Sequence, residues 1–156
     1  MREIGETAQE ALVEVRLLLF QLRPQHLEEQ GLARALQSRL RAVEARAGLM
    51  VEFDCAAYER LPAETEHELY RLAQEALNNV VKHAHARTIA VRLGTAAQTA
   101  KLEIVEDGIG FDASRRARPG GFGLSSMRER AAHVAGVLHL ESAPGSGTRV
   151  HVEVPR

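Results

Sequence analysis

Apolar residues along the chain fall into stretches of helical period separated by stretches of strand period. Between Arg2 and Arg23, Ile4, Ala8, Ala11, Val15, Leu18 and Leu22 recur at alternating steps of four and three. This heptad seam predicts a helix spanning roughly 30 Å, suited to pairing with another helix or to docking on its own domain. Pro24 ends it. A second helix is predicted from Leu27 to Ala47, with Leu32, Leu36, Leu40 and Val43 inward and Gly48 as its cap. Leu49 to Asp54 reads as a strand.

Leu61-Pro62-Ala63-Glu64 opens a long helix, with proline at its start and acidic residues in its first turn. Leu69, Leu72, Ala73, Ala76, Leu77 and Val80 give it one apolar side, and the pattern runs on to about Ala86. Ile89, Val91 and Leu93 alternate with polar residues, as do Leu102 and Ile104, which predicts a hairpin joined across residues 94–98. Residues 112–120 have loop composition. A helix from Leu124 to Ala135 and strands Val137–Glu141 and Arg149–Val154, around a Pro144-Gly145 turn, complete the chain. This order predicts an α/β fold: a two-layer sandwich, its mixed sheet covered by helices on one face, with an extra N-terminal helix. Residues 1–24 are expected to form a separate helical segment and residues 25–156 one domain.

Bulk properties narrow the function. At 156 residues the chain can bury one good core. Its 45% hydrophobic and 26% charged content is that of a globular protein. A net charge of -1 argues against a nucleic-acid groove, and 4% aromatics with no Trp argue against base stacking. The lone Cys55 makes no internal disulfide or cysteine zinc cluster and is expected to pack as a small apolar residue. No apolar run approaches a membrane span and no signal peptide is evident, so a cytoplasmic location is expected. That location fits equally the soluble end of a membrane-anchored receptor.

The long helix carries a second stripe. Glu75, Asn79 and His83 stand four apart, with Lys82 beside them. Such a face is ordinary as a solvated surface, but oxygen donors and cations in a row can also hold a hydrated metal ion and phosphate oxygens. Downstream come Asp107-Gly108-Ile109-Gly110, then Gly120-Gly121-Phe122-Gly123-Leu124, then Pro144-Gly145-Ser146-Gly147-Thr148. Each alone is common turn vocabulary. No phosphate-binding loop of the Gly-x-x-x-x-Gly-Lys type and no third glycine of a dinucleotide fingerprint is present.

In combination the four segments resemble the N, G1, G2 and G3 boxes of the ATPase superfamily of gyrase, the heat-shock chaperone, sensor histidine kinases and the MutL repair protein. The wording Gln74-Glu75-Ala76-Leu77-Asn78-Asn79-Val80-Val81-Lys82-His83-Ala84 and Gly121-Phe122-Gly123-Leu124-x-x-Met127-Arg128-Glu129-Arg130 is most similar to sensor histidine kinases that partner LuxR/NarL-type response regulators. The resemblance covers the chain from about Arg16 to Pro155. It implies a Bergerat-type ATP-binding fold and residues 1–24 as the second helix of a dimerisation and phosphotransfer region.

The resemblance also implies site roles. Asp107 would accept the exocyclic amine of adenine, which guanine lacks at that ring position, while Gly108 and Gly110 let the ring approach the backbone. Gly121, Gly123 and Leu124, at a helix N-terminus, would meet the phosphates under a lid running from Phe111 to Phe122. Arg115, Arg116 and Arg118 in that lid read equally as solvated charge or as phosphate contacts. Asn79 would ligate Mg²⁺, and Glu75 would bind a metal-held water or polarise the acceptor. Lys82 and His83 would stabilise phosphate charge. Gly145, Gly147 and Thr148 would support the pocket from below.

None of the seven His (26, 67, 83, 85, 133, 139 and 151) stands in the His-Asp context of a phosphoacceptor helix. The expected activity is therefore ATP-dependent histidine phosphorylation by a domain whose acceptor lies elsewhere, with homodimerisation through the N-terminal helical region and relay to a response regulator. An anti-sigma-type serine kinase and a non-catalytic nucleotide-gated module on the same fold are the alternatives.

Overall fold

A computed structural model describes residues 25–113 and 122–156. The predicted N-terminal heptad helix, the three lid arginines, Gly120 and Gly121 lie outside the described residues. The elements are α1 (Gln25–Ala47), β1 (Met50–Asp54), α2 (Ala63–Asn79), a π turn (Val80–Ala84), β2 (Thr88–Thr95), β3 (Thr99–Glu106), α3 (Phe122–His133), β4 (Val137–Ser142) and β5 (Thr148–Pro155). Five strands form one sheet in the order β1-β2-β3-β5-β4. Only β1 and β2 run parallel; the remaining neighbours are antiparallel.

Alternation along the strands sorts the two sheet faces. Ile89, Val91, Leu93, Ala100, Leu102, Ile104, Val150, Val152 and Val154 are buried. They pack with Leu32, Leu36, Leu40 and Val43 of α1, Leu69, Leu72, Ala73, Ala76 and Leu77 of α2, and Met127 and Ala131 of α3. Cys55 lies at the edge of this core and is not in a disulfide. The opposite face carries rows of charge. Arg92 and Arg149 both reach Glu103, at 2.7 Å each, and Lys101 meets Glu153 at 3.2 Å.

Two departures from the predicted elements have physical causes. Gly31 interrupts α1 with φ +81° and ψ 170°. The Arg60 side chain lies against it, so a Cβ there would stand 2.8 Å from Arg60 Cδ. Arg60 in turn donates through Nε to Glu66 Oε1 (2.9 Å), which also accepts from the Tyr58 hydroxyl at 2.6 Å and the Leu61 amide at 3.3 Å. Glu66 is 1% exposed, so these donors replace its lost hydration. Burial, then the bond to Glu66, pushes the Tyr58 phenol up.

The second departure is at the end of the long helix. Regular α geometry stops at Asn79 and the backbone widens into the π turn, ending at His85 in the left-handed region, φ 51°. Four residues overshoot one turn of an α-helix but fall short of a wider π turn. His83 is thus displaced to the other side of the Glu75–Asn79 line from the place an unbroken helix would give it.

Candidate functional site

Glu75 and Asn79 project half-buried from the last turns of α2, held in place by the buried Leu72, Ala73, Ala76 and Leu77 beneath them. The adjacent Asn78 points elsewhere. Its Oδ1 accepts from Arg39 Nη2 of α1 at 2.8 Å. Burial lowers the Arg39 pKa, partly offset by Tyr70 nearby. Of the two neighbouring carboxamides, therefore, one is committed to the core and Asn79 remains on the stripe with Glu75.

The first turn of α3 seats directly on that stripe. A Cβ added to Gly123 would collide with Glu75 Oε1 and stand 3.5 Å from Asn79 Nδ2. An ion pair from Arg130 to Glu68 (3.2 Å) and a contact of His133 Nε2 with Glu64 Oε1 (3.3 Å) hold α3 along α2. The amide groups of a helix start, which have no partner within their own helix, are thus placed beside a carboxylate and a carboxamide. Leu124 is half-buried in this turn, whereas Lys82 and His83 are exposed on the π turn.

Asp107 follows the last residue of β3. Its Oδ1 accepts from the amides of Thr88 (2.8 Å) and Arg87 (2.7 Å). Those two bonds hold its carboxyl below the usual carboxylate range. The Thr88 side chain also bonds this carboxylate, so what acceptor capacity remains towards a ligand is chiefly that of Oδ2.

The following residues are pinned as closely. Ile109 donates to the Ala84 carbonyl at 2.7 Å, and a side chain on Gly108 would collide with the same carbonyl. Gly110 (φ +59°) rests on the Ala143 carbonyl and Gly147 (φ +68°) on that of Glu106. Gly145 donates to the Ile109 carbonyl at 2.6 Å. The G1-like and G3-like segments thus form one surface against the end of the N-box helix. Ile109 and Phe111 leave apolar side chains exposed on it.

Three contributors escaped sequence reasoning. Arg39 aligns Asn78 from a helix 39 positions away. Glu106 is buried and accepts from the Gly108 amide. Ser142 joins the two glycine segments: its Oγ accepts from Phe111 N and donates to Gly147 O, both at 2.9 Å. Only Glu106 left a signal, since it sits on the inward side of the β3 alternation.

Residues 64–156 match the model of the family described as histidine kinase-, DNA gyrase B- and HSP90-like ATPase. The chain belongs to that family. An uncharacterized sensor-like histidine kinase of Chloroflexus aurantiacus is 37% identical over 98% of this chain and 27% of its own length. The sensor histidine kinase LiaS of Bacillus subtilis is 34% identical over 99% of this chain and 42% of its own. The chain thus spans less than half the length of these curated relatives. In fold it resembles the blue-light activated histidine kinase of Erythrobacter litoralis, with a TM-score of 0.68 at 20% identity, over 80% of this chain and 41% of that one. Among the described residues of this ATPase-family domain, no helix is long and apolar enough to cross a membrane.

Proposed function

We propose that this ATPase-family domain is the ATP-binding catalytic domain of a sensor histidine kinase, passing the γ-phosphoryl of ATP to a histidine outside the described residues. The observation that carries the reading is the seating of Gly123, at the start of α3, on the Glu75–Asn79 face. One surface then offers a helix N-terminus for phosphate, an amide oxygen for a cation and a carboxylate for the acceptor.

The donor set fits Mg²⁺, which takes oxygen ligands and retains waters. Asn79 would be its ligand, and Glu75 would bind a metal-held water or polarise the acceptor. Bound there, Mg²⁺ would offset charge on the phosphate oxygens. Asp107 takes the adenine amine through Oδ2, on a floor of Gly108 and Gly110 supported by Gly145, Gly147 and Thr148. Gly123 and Leu124 face the phosphates, a role the resemblance also implies for Gly121, and Lys82 and His83 add hydrogen-bond donors at the rim. Residues 25–156 make up the catalytic domain, and residues 1–24, outside the described residues, are assigned by sequence resemblance to the dimerisation and phosphotransfer region. The domain lies in the cytoplasm, and the full-length protein, a homodimer through its N-terminal helical region, hands its phosphoryl group to a LuxR/NarL-type response regulator.

The test is phosphotransfer with labelled ATP. This chain alone should acquire no acid-labile phosphate. Supplied in trans with a phosphoacceptor helix of this kinase class, it should label that helix, and Glu75→Ala should abolish the label. Acid-labile phosphate on the isolated chain would sink the assignment of the acceptor. Acid-stable label would point to serine kinase chemistry instead.

A further inference from the structure

Ser142, Thr148 and Glu106 lie side by side across β4, β5 and β3, and Asp107 follows Glu106 directly. A serine hydroxyl has one proton and two acceptor sites. The Ser142 proton goes to the Gly147 carbonyl at 2.9 Å, and one acceptor site takes the Phe111 amide at 2.9 Å. Thr148 Oγ1 stands 3.1 Å from Ser142 Oγ. Because the serine proton is already committed, the threonine is the donor in that pair, and all three positions of the Ser142 hydroxyl are filled.

This places one side chain at the joint between two segments of the candidate pocket. On one side is the 143–148 turn, where Gly147 has φ +68° and packs on Glu106. On the other is Phe111, the residue at which the chain leaves the Asp107 segment for the stretch leading to α3. The backbone bond from Gly145 to the Ile109 carbonyl, 2.6 Å, runs parallel to it. That bond is insensitive to side-chain identity; the Ser142 bond is not.

We propose that Ser142 is a positioning residue for nucleotide binding, its saturated hydroxyl fixing Phe111 to the 143–148 turn and so setting the shape of the adenine floor. The inference rests on the ATP-binding reading above. It assigns Ser142 no contact with phosphate, so ATP and ADP should depend on it equally.

The experiment compares the whole chain with Ser142→Ala and Ser142→Thr. Without nucleotide, amide exchange read by NMR should accelerate at Phe111 in Ser142→Ala by on the order of ten-fold, the loss of one hydrogen bond. Exchange at the central-strand amides of Val91 and Ile104 should stay unchanged. Affinity for both ATP and ADP should fall by on the order of ten-fold, and Ser142→Thr, which keeps the hydroxyl, should restore both readouts. Faster exchange throughout the sheet would show a merely structural role and overturn the proposal. So would unchanged affinity in Ser142→Ala when the wild type binds. If the wild type itself binds neither nucleotide, the ATP-binding reading falls, and that outcome is separate from a failure of Ser142 alone.

Discussion

Asp107 is fastened to the chain segment that leaves the N-box helix: its Oδ1 accepts the Thr88 amide at 2.8 Å, 19 positions away in sequence. The two candidate halves of the site, the Glu75–Asn79 helix and the Asp107 turn, are therefore not independent loops. The π turn ends at Ala84, four residues before Thr88, so the Asp107 carboxylate is tied to the segment that leaves it.

Replacing that carboxylate tests its two roles separately. Asp107→Asn should weaken ATP binding by about 1.5–3 kcal/mol, the size of a charge-assisted bond. Titration calorimetry giving equal ATP and GTP affinity for the wild type rules the adenine assignment out.

The same residue sets a pH signature. Its folded pKa is lowered by the amides of Thr88 and Arg87, so ionised Asp107 favours the folded state. That contribution is complete above the unfolded carboxylate value of about 3.9 and disappears as pH falls through the lower folded value. Thermal melts of wild type and Asp107→Asn should differ by a constant amount from pH 7 to about 5 and converge below about pH 4. A difference that grows on acidification contradicts the sign.

Asn79 and Asn78 should part company. Asn79→Ala is expected to lower Mg²⁺-dependent nucleotide affinity with little change in stability. Asn78→Ala leaves Arg39 short of an acceptor in a buried setting and should lower stability by about 1–3 kcal/mol. Thermal shifts with ATP in Mg²⁺ and in chelator decide it: identical shifts in both media remove Asn79 as a ligand.

The glycines of the last turn should not be equivalent. Both have positive φ, but a Cβ on Gly145 meets nothing within 4 Å whereas one on Gly147 collides with the Glu106 carbonyl. Gly145→Ala should cost about 1–2 kcal/mol for its backbone conformation alone. Gly147→Ala should cost clearly more and should also weaken nucleotide binding, because it displaces the residue before Asp107. Equal losses in denaturant unfolding would argue against the close approach.

Removing the Glu66 charge should be expensive although Glu66, on the same helix as Glu75, is no part of the candidate site. Glu66→Gln retains the shape but weakens the bonds from Tyr58, Arg60 and Leu61, for an expected loss of about 1.5–3 kcal/mol in urea unfolding. A change below about 0.5 kcal/mol, the usual size for a surface substitution, would mean the network is dispensable.

Local periodicity made most of the framework legible. Leu32, Leu36, Leu40 and Val43 point inward as their spacing demands, and the β2–β3 hairpin follows the alternation of Ile89, Val91, Leu93, Leu102 and Ile104. The glycine segments around residues 108–110 and 145–147, which stand out in the sequence, lie against one another. The π turn was hidden because Val80 and Ala84, both buried, keep a step of four through it, so apolar pattern alone cannot separate α from π winding. The Gly31 break depends on Arg60, and Asn78 depends on Arg39. Such pairings are set by tertiary packing and leave no trace in a local window.

The charged rows on the open side of the sheet bear on how such a domain can move inside a larger assembly. Arg92, Glu103, Arg149, Lys101 and Glu153 satisfy one another there, with Met50 and Val137 as apolar exceptions on the two edge strands. A rigid-body rotation that bares this face uncovers pairs already hydrated rather than a dry interface. The hydrophobic penalty for leaving this face in contact with solvent is correspondingly small.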